Sequence, residues 1–555
     1  MYCDKPHVNQ LTALLKAYPI HHVVVCPGSR NGILVHNFHA AQFVVHPVTD
    51  ERSAAFVALG LCLSTREPVA LCVTSGSALL NTLPATAEAA YRNLPLLVIS
   101  ADRPQEWIGQ LDGQTLPQCH ALMPYARSFQ LNEWKTATEG QWNNLLINEA
   151  LLLLKQNGGQ PVHLNVPISE PLFNFHTEKL PQERLIVEEY CQEEGGFSPA
   201  TLAQIQAAEL PIVIMGQYEK GALEAVAALE ANNALLFLPE IIAGQTGSWR
   251  SNILEHWLPE VDFQPDLVIH IGGNLVHKQT KLLLRKLPSC PVIRIEPSPA
   301  LPDTFRKMTK VIRTSPENAL KQLAGITGAK AKVVEWKKRL DLCCDCTLHY
   351  SPQRYSDIGI LHALRAVLPS DCALQVGNSS VIRNAAHYFD LHNRRLFCNR
   401  GLNGIEGSLS TAVGYALGYE GMTFCLIGDL SFFYDQNALW NQQLPSRLRI
   451  LLFNNSGGQI FYRLPGLDQT PALSPYIAAS HHTSARGVAE SYGLTYLAAH
   501  NYEQLGPQLE RFLDPQEERP VLLEVFTQRE DNENERIRIK EYIKAYFYGK
   551  KMEQD

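Results

Sequence analysis

Thr423-Phe424-Cys425-Leu426-Ile427-Gly428-Asp429-Leu430-Ser431 and Ile450-Leu451-Leu452-Phe453-Asn454-Asn455-Ser456-Gly457-Gly458 share one design, a short, almost continuous apolar run that stops at a small or polar turn. A strand that is apolar at successive positions, not at alternate ones, is buried on both faces, as in a parallel sheet covered by helices. Similar runs recur outward from this pair. Upstream lie His22–Cys26, Phe43–Val48, Val69–Val73, Leu96–Ile99 and Val162–Val166, then Ile212–Met215, Leu235–Leu238, Leu267–Ile271 and Val292–Ile295. Leu374–Val376 and Val521–Val525 flank the pair itself. The stretches between runs are long enough for helices. Two polar, weakly periodic stretches, Thr177–Ser198 and Gly328–Gln353, interrupt the series. The expected fold is α/β, with three domains over residues 1–180, 195–330 and 355–555, each a mostly parallel sheet flanked by helices. No period of roughly 20–50 residues repeats, which excludes a solenoid.

In open α/β sheets, ligands bind beyond the carboxyl ends of the strands. Asp429 and Asn455 each end a strand, 26 residues apart, so adjacent strands would set them side by side. An Asp carboxylate, an Asn amide oxygen and a backbone carbonyl near Gly457 form an all-oxygen set suited to Mg2+ or Mn2+, with phosphate oxygens and water completing the shell. Gly428 lets a diphosphate approach the backbone, and a helix beginning near Ser431 points its N-terminal dipole at it. Two ordinary turns would use the same residue types; their pairing after two apolar strands is what favours a diphosphate–metal site. Asp50-Glu51-Arg52 follows the run Phe43–Val48 and precedes a helix expected over Ser53–Leu63. Its plain alternative is stabilisation of that helix N-terminus, worth only about 0.3–1 kcal/mol.

The composition of the 555 residues, 45% apolar and 19% charged, fits several packed cores and not a disordered chain. Forty-eight basic residues against 55 acidic leave a net charge of −7, so no global basic field attracts nucleic acid or an anionic membrane. Anion binding must come from local clusters of arginine. The longest apolar runs, such as Leu151–Leu154 and Leu94–Ile99, fall far short of the ~18 residues of a membrane helix. Lys16 and Pro19 break the N-terminal apolar stretch, so a cytosolic protein is expected. Of 13 cysteines, Cys343, Cys344 and Cys346 cluster near His349, at a spacing unlike the common zinc pairs; reduced thiols on a helix are expected. No Walker A, GxSxG, HExxH or GxGxxG motif occurs, against a P-loop NTPase, an α/β-hydrolase, a zincin or a standard Rossmann dehydrogenase.

The turn pair resembles the thiamine-diphosphate signature, GDG followed by about two dozen residues and NN, with Leu430 in place of the second glycine. Such enzymes carry a glutamate on another domain, hydrogen-bonded to N1′ of the aminopyrimidine; that contact favours the imino tautomer, whose N4′ takes the proton from C2 of the thiazolium. Glu51 stands where it is expected. The resemblance narrows further. CysProGlySerArg (26–30), ThrAspGluArg (49–52), ThrSerGlySer (74–77), SerAlaAspArgPro (100–104), ValGlyAsnSerSer (376–380), AsnArgGlyLeuAsnGlyIleGluGly (399–407), GlyAspLeuSer (428–431) and AsnAsnSerGlyGlyGlnIlePhe (454–461) occur in order. Together they resemble the 2-succinyl-5-enolpyruvyl-6-hydroxy-3-cyclohexene-1-carboxylate synthases of menaquinone biosynthesis, a family that tolerates Leu at position 430. The middle third contributes one weak segment, GlyGlyAsnLeuValHisLys (272–278).

The resemblance implies a pyrimidine-binding, a central and a diphosphate-binding domain, thiamine diphosphate held with Mg2+ or Mn2+, and a homodimer or homotetramer with active sites between subunits. It implies decarboxylation of 2-oxoglutarate and addition of the resulting carbanion to isochorismate. By position in the family motifs, Glu51, Arg30, Ser379 and Arg383 are catalytic. Glu51, Gly377, Asn378, Ser379, Ile405, Gly428, Asp429, Leu430, Ser431, Asn455, Gly458, Gln459 and Ile460 hold the cofactor, with Asp429, Asn455 and Gly457 at the metal. Arg30, Arg103, Gln114, Lys278, Ser379, Arg383, Arg400, Phe461 and Leu464 bind substrate. Two dicarboxylate substrates need fixed cations in an acidic protein, and arginine holds a carboxylate through two parallel bonds. Where the family carries Lys-Arg, this chain has Lys278-Gln279, one cation fewer. Two rival readings stand beside this one: an acetolactate-synthase-like 2-oxoacid enzyme, which acts on monocarboxylates and has less use for these arginines, and a non-catalytic cofactor-binding protein, against which Glu51 argues.

Overall fold

Alternate residues of the N-terminal strands enter different cores. Val23 and Val25 join a cluster with Leu11, Leu14 and Ile147, while Val24 and Cys26 join one with Phe56, Leu59 and Val413. Successive side chains of a strand point to opposite faces, so both faces of this sheet are covered, which is why its strands read as unbroken apolar runs. The structure is a computed structural model that describes residues 1–189, 196–219, 223–244, 250–257, 262–386 and 394–548.

Three sheets, parallel throughout, follow one another along the chain. The first holds β1 (His22–Val25), β2 (Val44–Pro47), β3 (Val69–Val73), β4 (Leu96–Asp102), β5 (Arg127–Gln130) and β6 (Val162–Pro167), in the order β2-β1-β3-β4-β6-β5. The second holds β7 (Pro211–Met215), β8 (Leu236–Pro239), β9 (Leu267–Ile271), β10 (Val292–Ile295) and β11 (Met308–Ile312), in the order β11-β10-β9-β7-β8. The third holds β12 (Cys372–Val376), β13 (Arg395–Phe397), β14 (Met422–Gly428), β15 (Leu448–Asn454), β16 (Thr495–Ala499) and β17 (Val521–Phe526), in the order β13-β12-β14-β15-β17-β16. The α/β class is as expected. Four strands are additions to the expected series, β5, β11, β13 and β16, and every one is a sheet edge.

Gly328–Gln353 is not an irregular break. It carries the helix Ala331–His349, whose Val333, Trp336, Leu340, Cys343 and Cys346 are buried against the cores of the second and third sheets. Burial pushes the Cys343 and Cys346 thiols up to about 12, so both act as small apolar groups.

The first and third sheets meet through the helices Glu51–Thr65 and Ser408–Gly418. Their backbones touch. A Cβ on Gly414 would lie 2.8 Å from Val57 Cα, and one on Gly60 would lie 2.7 Å from Tyr415 N and overlap Thr411 O. Gly60→Ala must therefore push the helices apart. The expected loss is about 1–3 kcal/mol, an overpacking cost, read as an earlier calorimetric unfolding transition; an unshifted transition would show that the crossing is looser than described.

A buried polar knot joins all three sheets. Glu88 Oε1 and Oε2 accept the Gly401 and Leu402 N–H groups at 2.8 and 2.7 Å. Arg92 donates to Glu219 Oε1 at 2.7 Å and to Asn399 Oδ1 at 2.9 Å. This knot fixes the turn 399–402 against its neighbours, and Arg400 lies inside it.

Candidate active site

β14 and β15 pair in register from Thr423↔Leu448 to Gly428↔Phe453, so their carboxyl ends finish together. Beyond them, Asp429 Oδ2 accepts the N–H of Asn455 at 3.1 Å and of Gly457 at 2.9 Å, and Oδ1 accepts the N–H of Leu430 at 2.7 Å. One carboxylate thus gathers both turns. The helix begins at Asp429 itself, two residues before the expected Ser431, and runs only to Asp435. Ser431 Oγ donates to the Ile405 carbonyl. Burial pushes the Asp429 carboxyl up despite its three N–H donors. His481 Nε2 lies 3.3 Å from Oδ2; because His481 Nδ1 accepts the Thr483 N–H, a neutral ring carries its proton on the side facing Asp429.

The Asn455 amide is oriented from behind. Its Nδ2 donates to Asp357 Oδ2 at 3.1 Å, which leaves Oδ1 as the free end. Asp357 is buried and is itself held by Thr527 Oγ1 at 2.7 Å. Gly457 has φ +129, and a Cβ there would lie 2.7 Å from Ala478 O, so only glycine fits the turn. The nearest atom to a Cβ built on Gly428 is Val381 Cγ2 at 3.8 Å, so the approach to its backbone is open. A desolvated carboxylate, a freed amide oxygen and a turn carbonyl are hard donors, and they fit a divalent cation with a diphosphate.

Asp50, not Glu51, does the capping. Its Oδ1 accepts the Ser53 N–H at 2.9 Å and its Oδ2 accepts Asn437 Nδ2 at 2.8 Å. Glu51 opens the helix with one long contact, from Asn81 Nδ2 at 3.4 Å. The plain alternative for this acidic pair is met by its neighbour, which leaves the Glu51 carboxylate uncommitted.

The remaining predicted residues fall into two groups. At the carboxyl end of the first sheet, Arg30 and Arg103 share Trp107, each guanidinium 5.7 Å from the ring centroid. Gln114 lies nearby in sequence on an exposed loop at φ +58, its Cα only 3.1 Å from a Cβ built on Gly76. In the third sheet, Gly377 N–H donates to Leu426 O at 2.7 Å, which sets the β12 turn beside β14. Ser379 follows at φ +70, a strained conformation for a side-chain-bearing residue, and its carbonyl accepts Arg383 Nη1 at 2.6 Å. Asn378 Oδ1 accepts Arg400 Nη1 at 3.2 Å, and its Nδ2 is spent on the carbonyls of Asn399 and Gly404. Gln459 is likewise committed, to Asn455 O and to Asn532 Nδ2. Both side chains hold the frame; their position, not a free polar atom, is what they offer a ligand. Ile405 and Leu464 are exposed, with Gly458, Ile460 and Phe461 half-buried between them along the chain.

Lys278 is exposed at the first residue of the helix Lys278–Lys286, whose opening N–H groups are taken by the Glu255 carboxylate at 2.8–2.9 Å. Asn274 Nδ2 donates to the carbonyls of Arg400 and Gly401, and Arg400 Nη2 donates to Leu275 O at 3.2 Å. The weak middle segment therefore abuts the Arg400 turn. Among the described residues, no hydrogen bond or ion pair joins Glu51, Arg30 or Arg103 to the Asp429–Asn455 turns.

Residues 7–122 match the thiamine pyrophosphate enzyme N-terminal TPP binding domain, and residues 375–525 match the thiamine pyrophosphate enzyme C-terminal TPP binding domain. A 2-succinyl-5-enolpyruvyl-6-hydroxy-3-cyclohexene-1-carboxylate synthase of Bacteroides thetaiotaomicron is 41% identical, with 99% of each chain covered. The synthase of that name from Phocaeicola vulgatus is 39% identical over 99% of each chain, and that of Desulfotalea psychrophila 34% identical over 94% of this chain and 98% of its own. The chain belongs to the 2-succinyl-5-enolpyruvyl-6-hydroxy-3-cyclohexene-1-carboxylate synthase family.

Its cofactor is therefore thiamine diphosphate; in this synthase-family fold the first matched segment carries β1 to β4 of the first sheet, and the second carries nearly all of the third sheet. Sequence reasoning missed Asp357, His481, Glu255 and Trp107. None sits in a motif with the residue it serves: Asp357 and Asn455 are 98 positions apart. A buried aspartate or a tryptophan after an Asp-Arg-Pro turn carries no local signal of its own. No described helix is long and apolar enough to cross a membrane.

Proposed function

We infer that the chain catalyses the thiamine-diphosphate-dependent decarboxylation of 2-oxoglutarate and the addition of the resulting four-carbon fragment to isochorismate, with release of CO2, in menaquinone biosynthesis. The observation that carries the reading is the Asp429 carboxylate drawing the Gly428 and Asn455 turns together at the ends of adjacent strands, in a chain whose relatives bear that synthase name over their full length. Bound thiamine diphosphate supplies the nucleophilic carbon that takes up the 2-oxo acid and transfers its remainder. Asp429, Asn455 and the Gly457 carbonyl would hold Mg2+ or Mn2+ with the diphosphate, beside Leu430, Ser431 and Gly458. Asp357, which accepts the Asn455 Nδ2 bond, would leave the Asn455 oxygen free for that cation. Ile405, Ile460, Phe461 and Leu464 give the cofactor and substrate an apolar wall that excludes water. Glu51 shares and holds a proton at the aminopyrimidine ring. Ser379, Arg383, Arg400 and Lys278 on one side, and Arg30, Arg103 and Gln114 on the other, bind the carboxylates and hydroxyls of the substrates.

Among the described residues, no hydrogen bond or ion pair joins the two groups within one chain, which is the arrangement expected if two subunits close each site between the first domain of one and the third of the other. The reading is of a homodimer at least, working in the cytosol. Its test is incubation with 2-oxoglutarate, isochorismate, thiamine diphosphate and Mg2+ with mass spectrometry of the product. Turnover of a monocarboxylic 2-oxo acid in place of 2-oxoglutarate would overturn it.

Lys278 begins a helix, where a positive charge is disfavoured by the dipole; Glu255 offsets that cost. A cation kept at such a place is expected to have a task. Lys278→Ala should raise KM for one dicarboxylate about tenfold or more, as a bond to a charged group contributes about 1.5–3 kcal/mol. Gln279→Arg, which restores the family's second cation, should lower it. If both variants leave both KM values within twofold, the segment does not touch substrate.

A further inference from the structure

Arg30 and Arg103 bring two positive charges together at the carboxyl end of the first sheet, beside the carboxylates of Glu170 and Asp102. Arg30 is 2% exposed, with Nη1 on the Ile168 carbonyl at 2.9 Å and Nη2 on Glu170 Oε1 at 3.3 Å. Asp102 lies between, but its oxygens serve neutral donors, the Arg103 N–H at 2.8 Å and Asn165 Nδ2 at 2.7 Å. Burial, and then the Arg103 charge, lowers the Arg30 pKa. Among the described residues, the Arg103 guanidinium makes no hydrogen bond or ion pair, and its buried Nε has no partner. Its guanidinium lies over the Trp107 ring, which Arg30 also faces. Trp107 ends the short 3-10 helix Gln105–Trp107 that follows β4, so the strand end sets its position.

We propose that Trp107 is a positioning residue, which holds the Arg30 and Arg103 forks side by side as a preassembled clamp for one substrate carboxylate. The indole face attracts each cation without consuming any N–H donor, so the Arg103 fork stays free for two-point bonds to an incoming carboxylate, and Arg30 keeps the N–H groups that Ile168 and Glu170 do not take. It also removes, before binding, the rotamer freedom that a long unpaired arginine would otherwise lose on binding. The identity of the carboxylate rests on the function inferred above; the clamp itself requires only a carboxylate anion.

The test compares Trp107→Leu, which fills space but has no aromatic face, with Trp107→Phe, which keeps one. On the cofactor-loaded enzyme, Trp107→Leu should raise KM for one of the two substrates about tenfold with kcat within about threefold. Trp107→Phe should return that KM to within about threefold of the parent, since a single cation–π contact is equivalent to a change of that order. Both KM values unchanged within twofold in Trp107→Leu, or a Phe variant as impaired as the Leu variant, would overturn the clamp. If the parent itself shows no turnover, the inferred function fails, and calorimetric titration with succinate and 2-oxoglutarate then decides the clamp alone, equal affinities in parent and Trp107→Leu ruling it out. If Trp107→Leu does not fold, the emission of the parent minus that of Trp107→Phe isolates the Trp107 signal. Saturating succinate should change this signal, and an unchanged signal rejects the proposal.

Discussion

Glu51→Gln is expected to fold and to bind thiamine diphosphate as the parent does, yet to lose turnover by ~10²–10⁴-fold, the range for a lost acid–base group. The structural reason is a division of labour at one helix start. Asp50 satisfies the Ser53 N–H and also holds Asn437, so the capping of the helix Glu51–Thr65 does not depend on Glu51. The amide is isosteric with the carboxylate and can keep the one long contact from Asn81 through its oxygen. What it loses is the ability to share a proton with the cofactor ring. Proton exchange at C2 of the bound cofactor, followed by NMR, isolates that ability from substrate binding. An exchange rate equal to the parent's would show that Glu51 is a helix residue and no more.

How far the chain could be read without its structure depended on burial. The central strands β3, β9 and β10 have the boundaries expected from their apolar runs, because both faces of each are covered and every position is constrained to be apolar. The strands that escaped reading, β5, β11, β13 and β16, lie at sheet edges, and their side chains are largely half-exposed. An edge strand pairs on one side only and tolerates Arg127, Lys310 or Arg395, so its sequence resembles a loop. The helix Ala331–His349 was expected only at its cysteine-bearing end; its first half escaped for a related reason, because its apolar residues form a narrow stripe among six lysines, arginines and acids of the stretch 332–341, which reads as polar. The same logic governs the site. Asp429 and Asn455 were legible because parallel strands carry their turns to one edge. Asp357 and His481 act through a neighbour that the fold supplies, and spacing along the chain says nothing of such pairs.

The distribution of charge also bears on the chemistry. A chain of net charge −7 has no general attraction for dicarboxylates, so each cation proposed to bind substrate must be held by acceptors that do not occupy all its donors. Arg400 shows how: Asn378 Oδ1 and Leu275 O take two of its N–H groups, while its buried Nε has no partner. Neutral acceptors fix the side chain and leave its charge uncancelled, whereas a carboxylate partner would compete with the substrate.

Asp429→Ala should abolish metal-dependent cofactor binding, with affinity for thiamine diphosphate in Mg2+ lower by at least ~10²-fold. Outer-sphere partners of a metal typically account for about 10–100-fold each, and Asp429 is the only charged side chain among the proposed ligands. Its removal leaves Asn455 Oδ1 and a carbonyl, two neutral donors, to offset the charge of a diphosphate-bound cation. The loss has a second part that the sequence does not show. The N–H groups of Leu430, Asn455 and Gly457 all converge on this carboxylate, so alanine also releases the turn after β15 from the turn after β14. Each unsatisfied buried donor costs about 1–3 kcal/mol, and the protein is expected to unfold somewhat earlier on heating as well. Calorimetric titration of thiamine diphosphate, with and without Mg2+, separates the two effects. A purely organisational role would weaken binding equally in both conditions, because the turn is loosened whether or not metal is present. A ligand role removes the difference between them. If the variant binds as tightly as the parent and still requires metal, Asp429 is a turn residue, and the cation is held elsewhere.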